Sequence, residues 1–449
     1  MTIIIAGERS GVGKTTITLS ILATMVSYGK SIQSFKVGPD YIDAMYHSRI
    51  TGLPCRNLDP ILTSEAYVID CFNRYANQYS LIEGVMGLFD GLSGVDDSGS
   101  TAHIAELLNL PIVLVVNCRS ISRSVAAIIH GYNTYNSKIK IKGVILNYLS
   151  SERHLEILEQ AITPLNIPII GRFWRDDQLK IPDRYLGLIP TDELDNFADI
   201  TDRLIAVSKR CLDWNLLLPF LASPPNRIET TVVTAKVKIA VAKDRAFSFY
   251  YADNFDLLNR AGIELIFFSP LQDHYLPDGI AGLYFGGGFP ELFAAELADN
   301  LNLIKQLISL IRSGIPTYAE CGGLMYLTKG IVDLNQTYYP MLNIIPTEAV
   351  MTNKLTLGYR LGTVEHSSFL CYKKEQIWGH EFHRSVLSNQ NPQPLFQLQS
   401  YSSRLLSYGE GWSLLNLHAS YLHLHFGNKP QIVQRMLDSC CKYQGYTTN

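Results

Sequence analysis

The chain has 449 residues, of which 47% are hydrophobic and 18% are charged, and its formal net charge is −3. This length predicts two to three domains, each large enough to bury a core. The small net charge gives no electrostatic reason to expect binding to nucleic acid or an anionic membrane, and no apolar run in the sequence approaches the ~20 residues that span a bilayer.

The first residues and the cysteines favour a cytoplasmic protein. Residues 1–7 predict a first strand, because no basic segment precedes their apolar run as it would in a signal peptide. The eight cysteines are scattered, without the C-x-x-C or Cys/His spacing of a zinc site. We therefore expect reduced thiols.

A phosphate-binding loop is predicted near the start of the chain. Residues 3–6 predict a buried strand, the segment Gly7-Glu-Arg-Ser-Gly-Val-Gly-Lys-Thr-Thr follows, and the apolar spacing after it predicts a helix. In this arrangement backbone N–H groups hold phosphate oxygens, the lysine reaches the terminal phosphates and the first threonine ligates Mg²⁺. The predicted ATP-binding residues are Gly11, Val12, Gly13, Lys14, Thr15 and Thr16. Five residues separate Gly7 from Gly13, a spacing similar to that of dethiobiotin synthetase-like ATPases.

Charged side chains accompany two further predicted strands. Lys36 lies near the end of one strand, Asp40 lies in the turn after it, and Glu83 ends another strand. Because open α/β sheets bind ligands at the carboxyl ends of their strands, we expect these side chains at one site. Thr15, Asp40 and Glu83 are the expected Mg²⁺ ligands, since this ion prefers oxygen ligands. A charged surface turn is the alternative for residues 36–43.

Other side chains of the same half are candidates for contact with a substrate. A lysine suits a phosphate or a carboxylate, and the hydroxyl groups at 98–101 precede a predicted helix, which they would either cap or extend toward a ligand. The candidate substrate-binding residues are Lys36, Tyr41, Asp43, Asp90 and Ser100.

The order of the predicted elements divides the chain into two α/β halves. Strands alternate with helices through the first half, which predicts a doubly wound, mainly parallel sheet. A proline- and threonine-rich stretch follows, and residues 238–242 then predict the first strand of a second sheet. We expect an ATP-binding domain at 1–222, a linker at 223–237 and a second α/β domain at 238–449.

The segment Pro316-Thr-Tyr-Ala-Glu-Cys-Gly-Gly-Leu-Met-Tyr predicts a sharp strand-to-helix corner at Cys321. The glycines after the cysteine permit a tight turn, and the residue after a nucleophile at such a corner also offers an N–H group to an oxyanion. The helix N-terminus there is expected to favour a thiolate. A small core cysteine is the alternative.

Two more segments of the second half carry residue types that suit the same chemistry. Three glycines, Gly286-Gly-Gly, follow a predicted strand and would let backbone N–H groups converge on an anion. The run at 420–426 resembles a strand, in which His423 and His425 would share one face. An imidazole near Cys321 would act as its general base.

These segments, in this order, resemble the triad class (class I) of glutamine amidotransferase domains. The resemblance implies that Cys321 is the nucleophile, that His423 is its base, and that the backbone around Gly287, Gly288 and Gly322 forms the oxyanion hole. The commonest triad has a glutamate two residues after the histidine, whereas this chain has His425. The third member is therefore left open.

From about residue 3 to 430 the chain resembles the cobyrinate a,c-diamide synthase family. The resemblance rests on Lys-Val-Gly-Pro-Asp-Tyr-Ile-Asp, Glu-Gly-Val-Met-Gly-Leu-Phe-Asp-Gly, Phe-Ser-Phe-Tyr-Tyr and Ala-Glu-Cys-Gly-Gly-Leu-Met-Tyr. It implies a ligase that uses Mg²⁺ and ATP to activate the a and c acetate carboxylates of cobyrinate, and glutamine as the source of ammonia. The implied partners are these small molecules. The sequence does not determine the oligomeric state, and a homodimer that associates through the ATP-binding half is an expectation.

Other functions fit the same motifs. Within the enzyme class, the alternatives are a,c-diamidation of a related tetrapyrrole, either hydrogenobyrinate or nickel-sirohydrochlorin, and cobyric acid synthesis. From a different class, the first half also resembles partitioning-type ATPases, which would make the protein a nucleotide switch with an inactive amidotransferase-like module. The intact corner at Cys321 and the later histidine argue against that alternative.

Overall fold

The computed structural model describes residues 2–176, 181–184, 187–223, 234–401 and 407–445. The chain divides into two compact units, Met1–Pro60 with Ser64–Glu229, and Ile61–Thr63 with Thr230–Asn449. Residues 224–233, most of the predicted linker at 223–237, lie outside the described residues. The domain boundaries proposed from the sequence therefore stay a prediction.

The first unit is built on a seven-stranded parallel sheet with the strand order β3-β2-β4-β1-β5-β6-β7. Its strands are β1 (Ile3–Gly7), β2 (Ile32–Val37), β3 (Arg56–Leu58), β4 (Tyr79–Glu83), β5 (Ile112–Asn117), β6 (Ile141–Leu149) and β7 (Ile169–Trp174). Every residue of β1 and β2 is buried, as expected for strands covered on both faces of the sheet. A short antiparallel pair, β8 (Asp183–Arg184) and β9 (Gly187–Leu188), follows.

Helices alternate with these strands. They are α1 (Lys14–Ser27), α2 (Ile42–Thr51), α3 (Glu65–Tyr75), α4 (Thr101–Leu107), α5 (Ser124–Tyr135), α6 (Glu152–Ile162), α7 (Phe197–Cys211) and α8 (Trp214–Leu221). The strand order changes direction around β1, whose neighbours are β4 and β5. The loops after β1, β2 and β4 therefore end at the edge of the sheet where doubly wound folds bind ligands.

The second unit contains a mainly parallel sheet with the order β11-β10-β12-β13-β21-β20, in which β20 alone runs antiparallel to its described neighbour. The strands and helices of this part are β10 (Val237–Ala242), α9 (Ala252–Arg260), β11 (Ile263–Phe268), β12 (Ile280–Phe285), α10 (Ala294–Asp299), α11 (Leu301–Arg312), β13 (Thr317–Glu320), α12 (Gly322–Leu327), β20 (Trp412–Leu414), β21 (Leu417–Ser420) and α13 (Gln431–Tyr443). The predicted α/β fold class of both halves is confirmed.

A second sheet of this unit lies between α12 and β20 in the sequence. Its strands are β14 (Gly330–Val332), β15 (Tyr338–Pro340), β16 (Ala349–Val364), β17 (Gln376–Leu387), β18 (Phe396–Ser400) and β19 (Ser407–Glu410). The long antiparallel pair β16 and β17 dominates it, and the pairing shifts register between Met351 and Thr356. Within the described part of the chain, no helix combines the length and apolar character needed to cross a bilayer.

Two glycines test how closely the helices and strands of the first unit pack. Gly131 lies on the exposed side of α5 with no atom within 4 Å of an added Cβ, so Gly131→Ala should stabilise the protein by about 0.5–1 kcal/mol through helix propensity. At Gly143 in β6, an added Cβ would lie 2.2 Å from Ile170 Cδ1, so Gly143→Ala should cost about 1–3 kcal/mol. Urea unfolding of both variants measures these changes. Equal shifts in the same direction would contradict the described packing.

Candidate functional site

The predicted phosphate-binding loop connects β1 to α1 with the geometry that its glycines permit. Gly11 and Gly13 have φ angles of +75° and +96°, and Gly13 is the residue that precedes the helix. Side chains with a Cβ rarely adopt this conformation, so the two glycines are required by the turn. The buried Asn147 side chain donates to the carbonyl of Val12 at 2.8 Å and holds the loop against the end of β6.

Lys14, the lysine of the loop, folds back over it. Its ammonium group donates to the carbonyl oxygens of Arg9, at 3.2 Å, and Met86, and its side chain is buried. Burial, with a smaller effect of the neighbouring Lys36, lowers the pKa of Lys14 to about 8. An anionic phosphate beside it would favour the charged form, so the site is suited to gain a negative ligand.

A buried ammonium group, that of Lys36, joins the carboxylates predicted to form the metal and substrate site. Lys36 Nζ lies 2.7 Å from Asp43 Oδ2, 3.0 Å from Glu83 Oε1 and 4.0 Å from Asp40 Oδ2. Burial alone would lower the pKa of Lys36, but these carboxylates raise it well above its usual value. Burial raises the pKa of Asp43 to about 7, and the nearby carboxylate of Asp40 adds to the effect.

Glu83, the last residue of β4, has two further partners. Its Oε1 accepts a hydrogen bond from Thr15 Oγ1 at 2.6 Å, and its Oε2 lies 2.6 Å from His47 Nε2. Burial would raise the pKa of Glu83, but Lys36 and His47 lower it below its usual range. The other ring nitrogen of His47 lies 3.4 Å from Cys55 Sγ.

The predicted Mg²⁺ ligands fit an open site for this ion. The described residues include no cluster of three acidic, histidine or cysteine side chains able to enclose a metal. Mg²⁺ does not need one, since it keeps several waters and is often held by one or two carboxylates together with phosphates. Thr15 and Glu83 supply a hydroxyl group and a carboxylate beside the phosphate-binding loop. Asp40 lies farther out, 4.0 Å from the Lys36 ammonium group. The ammonium group itself shows that a cation fits among these carboxylates.

The remaining candidate substrate residues occupy different surroundings. Tyr41 is buried and precedes α2, while Asp90 is exposed and accepts a hydrogen bond from the Gly87 backbone at 2.9 Å. Ser100 is fully buried and caps α4 by accepting from the His103 backbone at 3.1 Å. The loops thus bring Lys36 and Asp43 together with the metal candidates, and the structure gives Ser100 the capping role that the sequence had left open.

In the second unit, Cys321 occupies the strained corner that the sequence predicts. Its φ and ψ angles are +48° and −102°, between the end of β13 and the start of α12. The Cys321 backbone donates to the Ser420 carbonyl at 2.8 Å, and its Sγ lies 3.6 Å from the Phe382 carbonyl oxygen. A residue with a side chain in this conformation is uncommon, and such strain is concentrated at functional sites.

Burial opposes the thiolate that the sequence predicts at this corner. Burial raises the pKa of the Cys321 thiol well above its usual value, and the carboxylate of Glu291 adds to the effect. The helix that follows, α12, has only six residues and does not offset this burial. A reaction at Cys321 therefore needs a base that takes the thiol proton.

The predicted base and oxyanion glycines meet at the same corner. A Cβ at Gly287 would lie 2.4 Å from His423 Cε1, and a Cβ at Gly322 would lie 3.1 Å from the backbone nitrogen of Gly288. His423 is fully buried, and its Nδ1 lies 3.2 Å from Glu320 Oε2. The absence of side chains at these glycines is what allows the imidazole and the loop to approach the corner.

The predicted strand at 420–426 was wrong. The strand β21 ends at Ser420. Beyond it, His423 forms only an isolated β-bridge with His380. His425 instead approaches Asp253 Oδ2 at 3.6 Å, and its ring lies against Tyr251. All residues of 417–426 are buried, so alternation along this run did not distinguish two faces.

Sequence reasoning missed two buried side chains that contact the predicted site residues. His47 lies inside α2, outside the motifs described above. Glu320 ends β13 and belongs to the Ala-Glu-Cys-Gly-Gly motif, but the sequence assigned it no role. The signal available for His47 was its spacing of four residues from Asp43, which places both on one side of a helix.

Comparisons with known proteins agree with the division into two functional halves. Residues 3–202 match the family described as "CobQ/CobB/MinD/ParA nucleotide binding domain". Residues 238–431 match the family described as "CobB/CobQ-like glutamine amidotransferase domain". Each match contains the motifs used above, the phosphate-binding loop in the first and the Cys321 corner in the second.

Similar proteins extend over nearly the whole chain. A cobyrinate a,c-diamide synthase of a Synechococcus species is 56% identical, with 98% of each chain covered. The chain belongs to the cobyrinate a,c-diamide synthase family. A second relative of that name, from a Synechocystis species, is 49% identical over 99% of this chain and 94% of its own. One from Priestia megaterium is 39% identical over 98% of this chain and 96% of its own.

Membership of the cobyrinate a,c-diamide synthase family confirms the predicted enzyme class. The protein is a glutamine-dependent amidotransferase ligase with a nucleotide-binding half. The family does not by itself assign roles to individual side chains, so the residues of the site keep the status of predictions.

The buried contact between His47 and Glu83 leads to a prediction about stability. His47→Ala should lower the free energy of unfolding by about 3 kcal/mol, because it removes one partner of a fully buried charge pair. The matched control is His103→Ala, whose partner Glu65 is 64% exposed, and there the loss should stay below about 1 kcal/mol. Urea unfolding measures both. Equal losses for the two variants would show that the buried pair does not stabilise the site.

Proposed function

We propose that this chain amidates the a and c acetate carboxylates of cobyrinate in cobalamin biosynthesis, with ATP and glutamine as co-substrates. The observation that carries the proposal is the presence, in one chain, of two sites with complementary chemistry. One combines a phosphate-binding loop with a cluster of carboxylates around the buried ammonium group of Lys36. The other combines a strained cysteine corner with a buried histidine. The similar full-length relatives carry the corresponding name.

The first site would activate the substrate. A carboxylate does not react with ammonia at neutral pH, so the terminal phosphoryl group of ATP is first transferred to it, which gives an acyl phosphate and ADP. The backbone of 11–16 would hold the phosphates and Lys14 would neutralise charge on the transferred group. Lys36, which already lies among carboxylates, is the candidate to orient the substrate carboxylate.

The carboxylate cluster would also hold Mg²⁺. Thr15 and Glu83 are the candidate ligands, with Asp40 at the border of the pocket. When bound, the ion supplies positive charge to the phosphate oxygens. Lys36 and His47 would keep Glu83 ionised and oriented toward Thr15 in the absence of the ion.

The second site would release ammonia from glutamine. His423 takes the thiol proton of Cys321, and the sulfur attacks the side-chain amide carbon. The backbone N–H groups near Gly287, Gly288 and Gly322 would stabilise the oxyanion, and the amide nitrogen leaves as ammonia once His423 returns the proton. Water then hydrolyses the thioester to glutamate. Ammonia attacks the acyl phosphate, and phosphate leaves with formation of the amide.

The proposed reaction involves only small molecules as partners. Its partners are cobyrinate, glutamine and ATP, and it requires neither nucleic acid nor a membrane. A cytoplasmic location and a homodimer are further predictions, which fractionation and sedimentation of the native protein would test.

Replacement of the proposed nucleophile tests the activities of the two sites independently. With cobyrinic acid and Mg²⁺-ATP, Cys321→Ser should lose glutamine-dependent amidation by at least about 10³-fold, because the hydroxyl is a far weaker nucleophile at this position. Amidation supported by ammonium salt should stay within about threefold of wild type, since the first site is unchanged. Product formation is followed by mass spectrometry.

The control for this experiment is Cys371→Ser, the same change at another buried cysteine of the second unit. It should keep glutamine-dependent amidation. If Cys321→Ser used glutamine as wild type does, Cys321 would not be the nucleophile. If wild type amidated neither with glutamine nor with ammonium salt, cobyrinate would be the wrong acceptor.

A further inference from the structure

In the commonest amidotransferases the third triad residue lies two positions after the histidine. In this chain that position is His425, which pairs with Asp253. His425 approaches Asp253 Oδ2 at 3.6 Å, and its Nδ1 accepts a hydrogen bond from the Gly427 backbone at 3.1 Å. Its ring lies 4.9 Å from that of Tyr251. An imidazole in this setting does not supply the negative charge that a triad carboxylate supplies to the catalytic histidine.

A carboxylate from a different strand meets His423 instead. Glu320 Oε2 lies 3.2 Å from His423 Nδ1, and the exposed fractions of the two side chains are 3% and 0%. Because a carboxylate only accepts, Nδ1 carries the hydrogen of this bond. Glu320 is the last residue of β13 and is paired in register with Ser420, the last residue of β21. The sheet thus brings the residue before the nucleophile to the histidine that follows β21.

The Glu320 carboxylate is held on its other oxygen as well. Oε1 accepts a hydrogen bond from the Tyr284 hydroxyl group at 3.0 Å, and Tyr284 is buried in β12, the strand next to β13. With one oxygen fixed by the tyrosine and the other by the imidazole, the carboxylate has a defined orientation. This matches the way in which supporting groups fix catalytic side chains.

The other buried carboxylates of this region are engaged elsewhere. Glu410 accepts from Ser420 Oγ at 2.5 Å and from the Tyr421 backbone at 2.8 Å. Glu381 lies 2.7 Å from Arg360 Nε and accepts from the Tyr408 hydroxyl group at 2.5 Å. These contacts leave Glu320 as the carboxylate best placed to act on His423.

We propose that Glu320, directly before the nucleophile in the sequence, is the positioning residue that replaces the missing triad carboxylate. The inference rests on the proposed function of Cys321 and His423. Glu320 accepts the Nδ1 hydrogen and leaves Nε2 as the nitrogen that takes the thiol proton. It stabilises the imidazolium while that proton is held, and it stays ionised as the proton passes on to the departing ammonia.

The test is glutamate release from glutamine by the full-length enzyme carrying Glu320→Gln, which keeps the shape of the side chain and removes its charge. We expect kcat to fall by about 10²-fold or more while KM stays within about threefold, because the lost interaction strengthens only when the imidazolium forms. Loss of the negative charge should also move the acid limb of the pH profile of kcat/KM to lower pH. A merely structural role would not move that limb.

The matched control is Asp253→Asn, the same carboxylate-to-amide change beside the other buried histidine of this segment. It should keep glutamate release within about threefold of wild type. Ammonia-dependent amidation, which reports on the first unit, should be normal in both variants, and a urea unfolding transition like that of wild type should show that the second unit is folded. Unchanged kcat and an unchanged acid limb in Glu320→Gln would overturn the proposal, as would an equal loss in Asp253→Asn.

A second variant covers the case in which Glu320→Gln does not fold and loses ammonia-dependent amidation as well. Glu320→Asp keeps the charge on a shorter side chain, so the proposal requires slower glutamate release with the ammonia-dependent reaction intact. Wild-type glutamate release in that variant would overturn it. Failure of the proposed glutamine hydrolysis has a different signature, because wild type would then release no glutamate, which overturns both proposals.

Discussion

The first half of the molecule depends on one buried ammonium group. Lys36 Nζ lies within 4.0 Å of three carboxylates, those of Asp40, Asp43 and Glu83, and its side chain is 3% exposed. Carboxylates this close repel each other in a medium of low dielectric unless a cation lies between them. The lysine therefore keeps the acidic loops after β2 and β4 together beside the phosphate-binding loop. The proposed Mg²⁺ ligands Asp40 and Glu83 belong to the same cluster.

The second half depends on a constraint of the backbone. The positive φ angle of Cys321, a strain of about 1–3 kcal/mol for a residue with a side chain, persists because β13, β21 and the glycines around the corner fix it from several sides. The close packing that holds the corner also buries the thiol and raises its pKa. The packing that fixes the corner therefore disfavours the thiolate, and the proposed reaction at Cys321 requires a well-oriented base.

Features that depend on residues close together in the chain could be predicted from the sequence. The phosphate-binding loop and the Cys321 corner were predictable because glycines at fixed offsets leave few backbone conformations. His47 and Glu320 were not, because their roles arise from contacts with Glu83 and His423, which lie far away in the sequence. Alternation at 420–426 misled because that run is buried on all sides. A pattern with period two identifies a strand only where one face meets solvent.

The central claim is that the two halves serve one reaction, in which each amide formed uses one ATP and one glutamine. The most direct test supplies cobyrinic acid, Mg²⁺-ATP and glutamine whose side-chain amide carries heavy nitrogen, in the presence of unlabelled ammonium salt. The account predicts a diamide with heavy nitrogen in both amides, together with one ADP and one glutamate per amide. Consumption of ATP and glutamine without incorporation of heavy nitrogen would contradict it, and so would ATP hydrolysis with no product at all.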